Sequence, residues 1–309
     1  MDKANYAAVE TDNLGKMYNG ISRVTGVNLM VPQGTIYGFL GPNGAGKSTT
    51  LKMLLGLARP STGKIKVLNQ PLTSKNKIAI LKNIGSLIES PSYYGHLTGL
   101  ENLKIVAALK GVQNNDIHKV LEIVRLENHQ NKKVAEYSLG MKQRLGIAIA
   151  LLGTPKLLIL DEPTNGLDPT GIQEIRMLIK SIPIKYGITV IISSHLLSEI
   201  DQVADHIGII NQGKIIFQGP TQDLHAQATQ HIAIRTLNNE MAHKILLSND
   251  YRCELNDVGY LLLPKLKDQE LANCTRLLCK HELGIVRVED KSKSLEDIFL
   301  ELIGTGKSL

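Results

Sequence analysis

Continuous apolar runs and helical periodicities alternate along the chain, and they predict a mixed α/β molecule. Ile36-Tyr37-Gly38-Phe39-Leu40, Leu157-Leu158-Ile159-Leu160 and Ile188-Thr189-Val190-Ile191-Ile192 carry no charge and are short, as strands buried on both faces of a parallel sheet require. Ala7 to Thr11 and Thr25 to Val31 read as further strands, the second with Val27, Leu29 and Val31 on one face at period two. Lys64 to Leu68, after the turn Ser61-Thr62-Gly63, and Ile84 to Glu89 complete the strand set of this region. Thr50 to Leu57 reads as a helix, and 98–153 is mostly helical by pattern. There Leu100, Leu103, Ala107 and Lys110 mark one helix, and Ile117, Val120, Leu121, Val124 and Leu126 the apolar face of the next. Asp168-Pro169 has the form of an N-cap followed by a first-turn proline, with Ile172, Ile175 and Ile179 as the buried stripe behind it. Ile207 to Ile210 and Lys214 to Gln218, joined through Asn211-Gln212-Gly213, predict a hairpin.

Beyond Thr221 the pattern changes. Ile232 to Arg235 and Tyr260 to Leu263 read as strands, Asp268 to His281 and Leu295 to Leu302 as helices, giving a small α+β accessory domain without identifiable chemistry. The expected division is therefore a first domain over 1–220, with a helical subdomain at about 98–153, and a second over 221–309. A length of 309 residues accommodates both.

Composition narrows the function classes. The net charge of +6 is modest and dispersed, so no nucleic-acid surface is indicated. Cys253, Cys274 and Cys279 match neither zinc nor redox spacing and read as buried small hydrophobes in a reducing compartment. The segment Met1 to Glu10 lacks the apolar core of a signal peptide. The longest apolar stretch of the helical region, Ile147 to Leu152, is cut by Gly146 and Gly153 and falls short of the roughly 18 residues of a membrane span. The expectation is a cytosolic chain whose membrane work is done by a partner.

The candidate chemistry begins at Gly41-Pro42-Asn43-Gly44-Ala45-Gly46-Lys47-Ser48-Thr49, a match to G-x-x-x-x-G-K-[ST] between a predicted strand and a predicted helix. In that setting backbone N–H groups and a helix N-terminus converge on a polyphosphate, Lys47 reaches its β/γ-phosphates, and the Ser48 hydroxyl can ligate Mg²⁺. Asp161-Glu162 closes an apolar strand, where an aspartate can hold the metal and a glutamate can orient or deprotonate water. Ser193-Ser194-His195 follows another core strand and reaches the same sheet edge. Tyr18, upstream of the glycine loop, either stacks on a purine or packs at a sheet edge.

In this order the segments from about Ala7 to Gly219 resemble the ATP-binding cassette ATPases, specifically the nucleotide-binding subunits of ABC transporters, which are P-loop NTPases. The resemblance implies ATP and Mg²⁺ as ligands. It makes Tyr18 the adenine-stacking residue, Glu162 the general base, Asp168 the D-loop aspartate and His195 the switch histidine. The family's signature segment, usually close to L-S-G-G-Q, corresponds to Tyr137-Ser138-Leu139-Gly140-Met141, with Leu139 and Met141 replacing a glycine and the glutamine. In the family the signature of one subunit completes the phosphate site of another. A head-to-tail pair of these chains is implied, or a pair with a related chain, bound to separate transmembrane permease subunits. At the position where the family carries a metal-coordinating glutamine this chain has Glu89, a charged ligand in place of a neutral one. That replacement, Ser90-Pro91-Ser92-Tyr93-Tyr94 after it and the Y-S-L-G-M signature resemble the ATPase subunits of lantibiotic self-protection exporters, close to the bacitracin-resistance type. Ser294-Leu295-Glu296-Asp297-Ile298-Phe299-Leu300 resembles the broader drug-export group. The resemblance thus implies an ATPase that drives expulsion of a peptide antibiotic from the inner face of the cell membrane. The competing reading is a soluble ABC ATPase of translation or DNA repair, disfavoured because the chain has neither a second cassette nor a long coiled-coil insertion. A simple P-loop kinase would need neither signature nor switch histidine.

Overall fold

The computed structural model describes residues 7–226, 230–256, 258–292 and 295–304. Residues 1–6 of the polar N-terminal segment and Ser294 of the C-terminal motif lie outside the described residues. The chain divides into two compact units, Met1–Thr221 and Gln222–Leu309.

The first unit opens with strands β1 (Ala7–Tyr18), β2 (Ile21–Val27), β3 (Met30–Pro32) and β4 (Ile36–Leu40), then helix α1 (Lys47–Leu54). Strands β5 (Thr62–Val67) and β6 (Gln70–Pro71), helix α2 (Lys77–Leu81) and strand β7 (Ile84–Leu87) follow. A helical segment comprises α3 (Gly99–Lys110), α4 (Asn114–Val124) and α5 (Leu139–Leu151). Next come β8 (Leu157–Asp161), α6 (Pro169–Tyr186), β9 (Thr189–Ser194), α7 (Leu197–Asp201), β10 (His206–Asn211) and β11 (Lys214–Pro220). The helix α8 (Thr221–Ala226) spans the division between the units.

Two sheets share a core. The larger has the order β11-β10-β4-β9-β8-β7 and is parallel from β10 through β7, with β11 returning antiparallel on β10. Every residue of β4, β8 and β9 is buried, which accounts for their continuous apolar sequence. Because the strands run the same way, β4, β7, β8 and β9 all deliver their carboxyl ends to one edge. Register pairs Leu40 with Ser194, Asp161 with Ser193, and Leu87 with Leu160. The second sheet, β2-β1-β5-β6 with β3 also on β1, is antiparallel. Its Val9, Leu14, Val27 and Val67 meet Phe39, Leu51, Met53 and Ile159 in one hydrophobic cluster.

The structure departs from the sequence pattern at several places in this unit: β6, α2 and α7 were not anticipated, and β7 ends at Leu87 rather than Glu89. Strand β1 continues through Tyr18 rather than stopping at Thr11. Left-handed Asn13 and register shifts near Gly15 bend it from β5 toward β2, so polar residues fall inside a strand. Thr25 to Val31 is split between β2 and β3, although Val27, Leu29 and Val31 are all buried as the alternation requires. Helix α1 starts at Lys47, three residues before the apolar pattern, directly after left-handed Gly46.

The second unit consists of β12 (Gln230–Thr236), α9 (Asn239–Ser248), β13 (Glu254–Leu255), β14 (Leu261–Pro264), α10 (Asp268–Lys280), β15 (Ile285–Ser292) and α11 (Leu295–Leu302). The order β13-β14-β12-β15 of its antiparallel sheet, with α9 and α10 in the connections, is the βαββαβ ferredoxin-like arrangement. Ile232, Ile234, Leu246, Leu261, Leu263 and Leu278 form its core. Cys253 and Cys274 are buried there, but Cys279 is exposed on α10, contrary to the expectation that all three thiols are interior. Burial pushes the Cys253 and Cys274 thiols up to about 12 and about 11, so neither is a nucleophile at neutral pH. No helix among the described residues is long and apolar enough to cross a membrane.

Candidate active site

The glycine loop between β4 and α1 is shaped by close backbone approaches. A side chain at Gly41 would meet the Ile210 carbonyl at 2.2 Å, and Gly46 has φ of 110°, a conformation that only glycine adopts without strain. The Pro42 carbonyl accepts from the Ala45 N–H (3.1 Å), and the Ala45 carbonyl accepts from the Gly213 N–H (2.9 Å), which anchors the loop to the β10–β11 turn. Gly41, Pro42 and Ala45 thus form the frame. Asn43, Gly44, Gly46, Lys47, Ser48 and Thr49 line a cleft of about 590 Å³ together with Tyr18, Arg23, Glu162, Asn165 and His195. Lys47, Ser48 and Thr49 form the first turn of α1, so its N–H groups and positive end face that cleft.

Lys47 is almost fully buried, and its Nζ donates to the Gly41 carbonyl at 2.6 Å while lying 3.3 Å from Glu162 Oε1. The other Glu162 oxygen, Oε2, is 2.8 Å from His195 Nδ1. Glu162 has φ of 48°, unusual for a residue with a side chain. Its N–H donates to Ser193 Oγ (3.0 Å), and that hydroxyl donates to Asp161 Oδ1 (2.5 Å). Asp161 is 2% exposed and lies beneath the cleft rather than on its wall. The constellation combines a cation, an acceptor carboxylate and an imidazole around a phosphate-sized space.

Tyr18, 45% exposed, ends β1 at the rim, with Lys16 Nζ 4.6 Å from its ring centroid. Glu89 follows β7 in the left-handed region and pairs with Lys52 Nζ at 2.6 Å, raising the lysine above its ordinary range. It is largely exposed and is not among the residues lining the cleft.

The signature residues lie elsewhere on the first unit. Ser138 caps α5, its hydroxyl accepting from the Met141 N–H at 3.3 Å. Ser138, Leu139, Gly140 and Met141 line a second cleft of about 500 Å³ with Arg125, Arg144 and Asp168. Asp168 caps α6 by accepting from the Gly171 N–H at 2.9 Å, and Arg144 pairs with Glu174. The two clefts share no residue.

Sequence reasoning missed Arg23 and Asn165, and it brought Ser193 to the right edge without a role. Arg23 sits in β2, where only Val24 and Val27 are buried, so its position looks like solvated surface. The signal for Ser193 is a hydroxyl residue ending an otherwise apolar run one position before the histidine-bearing loop.

As for a metal, no group of three or more His, Cys, Asp or Glu side chains able to hold one exists among the described residues. The hard oxygen donors Ser48 and Asp161 fit Mg²⁺, which binds one or two protein oxygens and takes the rest from phosphates and water.

Residues 24–165 match the family model for ABC transporters. The bacitracin transport ATP-binding protein BcrA of Bacillus licheniformis is 43% identical over 303 residues, covering 96% of this chain and 98% of its own. The lantibiotic transport ATP-binding protein SrtF of Streptococcus pyogenes is 46% identical over 210 residues, covering 68% and 90%. Among solved structures, cbiO1 from Clostridium perfringens, part of the ABC transporter complex cbiONQ, superposes with a TM-score of 0.67 at 27% identity over 78% of this chain and 95% of that one.

Proposed function

The chain belongs to the ATP-binding subunits of ABC transporters and is an ATPase coupled to transport, and from that membership we propose that it drives export of a peptide antibiotic of the lantibiotic or bacitracin type. ATP occupies the cleft with its base on Tyr18 and its phosphates along the loop Gly41–Thr49. Ser48 and Asp161 would hold Mg²⁺, which would supply charge neutralisation for the polyphosphate. Lys47 exchanges the Gly41 carbonyl for phosphate oxygens. Glu162 accepts a proton from the attacking water as its oxygen bonds to the γ-phosphorus and the bond to the β-phosphate oxygen breaks. His195 holds the γ-phosphate and the Glu162 carboxylate in register. The observation that carries this reading is the convergence of Lys47, Glu162 and His195 within hydrogen-bonding distance at one sheet edge.

The working unit is a head-to-tail pair, in which Ser138, Leu139, Gly140 and Met141 of one copy close over the phosphates of the other and Asp168 lies at the junction. Permease subunits hold this pair at the inner face of the membrane, and Glu89 helps transmit the site's state to them. End-to-end similarity to BcrA, C-terminal unit included, supports a peptide antibiotic as cargo. The test is survival of cells expressing the chain with its neighbouring membrane genes against a panel of lantibiotics and bacitracin, with Lys47→Ala as control. Protection lost in the control is the expected result. Wild-type cells as sensitive as the control to every peptide would overturn the cargo assignment.

A further inference from the structure

Two loops must hold still relative to each other for the proposed chemistry, the one after β8 with Glu162 and the one after β9 with His195. One tie between them is the Ser193 hydroxyl described above. A second lies deeper and uses a residue outside the nucleotide cleft. Glu199, half-buried on α7, accepts at one oxygen, Oε2, from both Thr164 Oγ1 (2.8 Å) and Ser194 Oγ (2.9 Å). Thr164 is two residues beyond Glu162, and Ser194 immediately precedes His195. Both are buried, so their hydroxyls have no solvent to turn to. The Ser194 oxygen also accepts from the Leu196 N–H at 3.0 Å, which fixes the backbone on the far side of His195.

We propose that Glu199 is a positioning residue for ATP hydrolysis, whose single carboxylate oxygen clamps the Glu162 loop to the His195 loop through Thr164 and Ser194. It touches neither nucleotide nor water. Glu162 sits in a left-handed backbone conformation, which a residue with a side chain keeps only where its surroundings over-determine it. The hydroxyl of Ser193 holds that residue from its amino side, and Glu199 holds the chain just past it. The same clamp fixes the start of the turn Thr164–Leu167, in which the Leu167 N–H donates to the Thr164 carbonyl, and which leads to Asp168. This inference rests on the assignment of Glu162 and His195 to the γ-phosphate.

The chemistry of the clamp dictates the test. Both donors are neutral hydroxyls, so a carboxamide oxygen can accept both, more weakly than a carboxylate, whereas a methyl group accepts neither. In the full chain with its permease, Glu199→Ala should lower kcat about ten- to a hundred-fold through misplacement of the reacting groups, with KM for ATP nearly unchanged. Glu199→Gln should recover most of the lost rate. Amide exchange in 162–168 should quicken in the alanine variant and not in the glutamine one. Thr164→Val, which keeps side-chain volume and removes one donor, should lower kcat in the same direction and add little in the Glu199→Ala background. A glutamine variant as slow as alanine would overturn the clamp, because charge would then be the active property. So would a Thr164→Val chain with wild-type kcat, which decides the matter even if Glu199→Ala fails to fold. Failure of the underlying assignment is distinct, since it appears as an active Glu162→Gln chain whatever Glu199 does.

Discussion

Glu162 makes opposing demands on its neighbours, and that tension predicts the behaviour of its amide. Its Oε1 lies 3.3 Å from the Lys47 ammonium, which a triphosphate must recruit, while Oε2 faces His195. Glu162→Gln removes the general base and the competing anion together. Phosphate release should therefore fall roughly 10²-fold or more. Binding of a fluorescent ATP analogue should tighten rather than weaken; activity within tenfold of wild type would sink the assignment. Glu89 poses a different question, because its partner Lys52 is a solvated lysine and the pair is open to water. Glu89→Gln should leave nucleotide binding intact and reduce antibiotic resistance in cells, and unchanged resistance would show that the charge plays no part in coupling. The placement of the glycine loop, the two carboxylates and the histidine was legible from sequence because each follows an apolar run that ends at the sheet's carboxyl edge. Ser193 and Glu199 were not, since a serine and a glutamate near a strand end have no spacing that separates a tie between loops from ordinary surface.

Among the helices, α3 has the clearest local determinant. Thr98 Oγ1 accepts from the Glu101 N–H at 3.2 Å, while Glu101 Oε2 accepts from the Thr98 N–H at 2.7 Å and from its hydroxyl at 2.9 Å. Thr98→Ala should cost about 1 kcal/mol of stability, read by denaturant titration, without touching either cleft. The Thr98 backbone and hydroxyl donors hold the Glu101 carboxyl below its ordinary range. A group depressed in the folded state contributes fully above its unfolded value and loses that contribution as pH falls through the folded one. Thr98→Ala keeps the backbone donor and loses only the hydroxyl's share, so its difference from wild type should shrink on acidification; a difference independent of pH would show that the hydroxyl's contact with the carboxylate contributes nothing. Capping of this kind was readable in advance at Asp168-Pro169. Three elements of the second unit were not anticipated, the two-residue strand β13 being the shortest. Helix α9 buries only Ala242 and Leu246, too narrow a stripe for a periodic signal, although Asn238 caps it through the Met241 N–H. Strand β15 reads Val286-Arg287-Val288-Glu289-Asp290, with its valines half exposed, so pairing with β12 rather than burial defines it.

At the scale of the whole molecule, the two clefts set the terms. One carries Tyr18, Lys47 and Glu162, the other Ser138, Gly140 and Asp168, and within a chain they have no residue in common. On the proposed head-to-tail pairing the signature meets the phosphates of a second copy, and this arrangement is open to a mixing experiment. Lys47→Ala disables the first cleft. Gly140→Asp disables the second by placing a carboxylate where phosphate would lie, and the fold can accept it, because a Cβ at Gly140 meets nothing nearer than Leu167 at 4.0 Å. Each variant alone should be inactive. In a head-to-tail hetero-pair, one site joins the disabled loop to the disabled signature, and the other joins the intact loop of the Gly140→Asp chain to the intact signature of the Lys47→Ala chain. Random pairing then restores about a quarter of wild-type ATPase activity, from half of the pairs with one working site each. Mixtures that stay inactive while forming pairs would mean that each site draws on a single chain, and the signature would need another role.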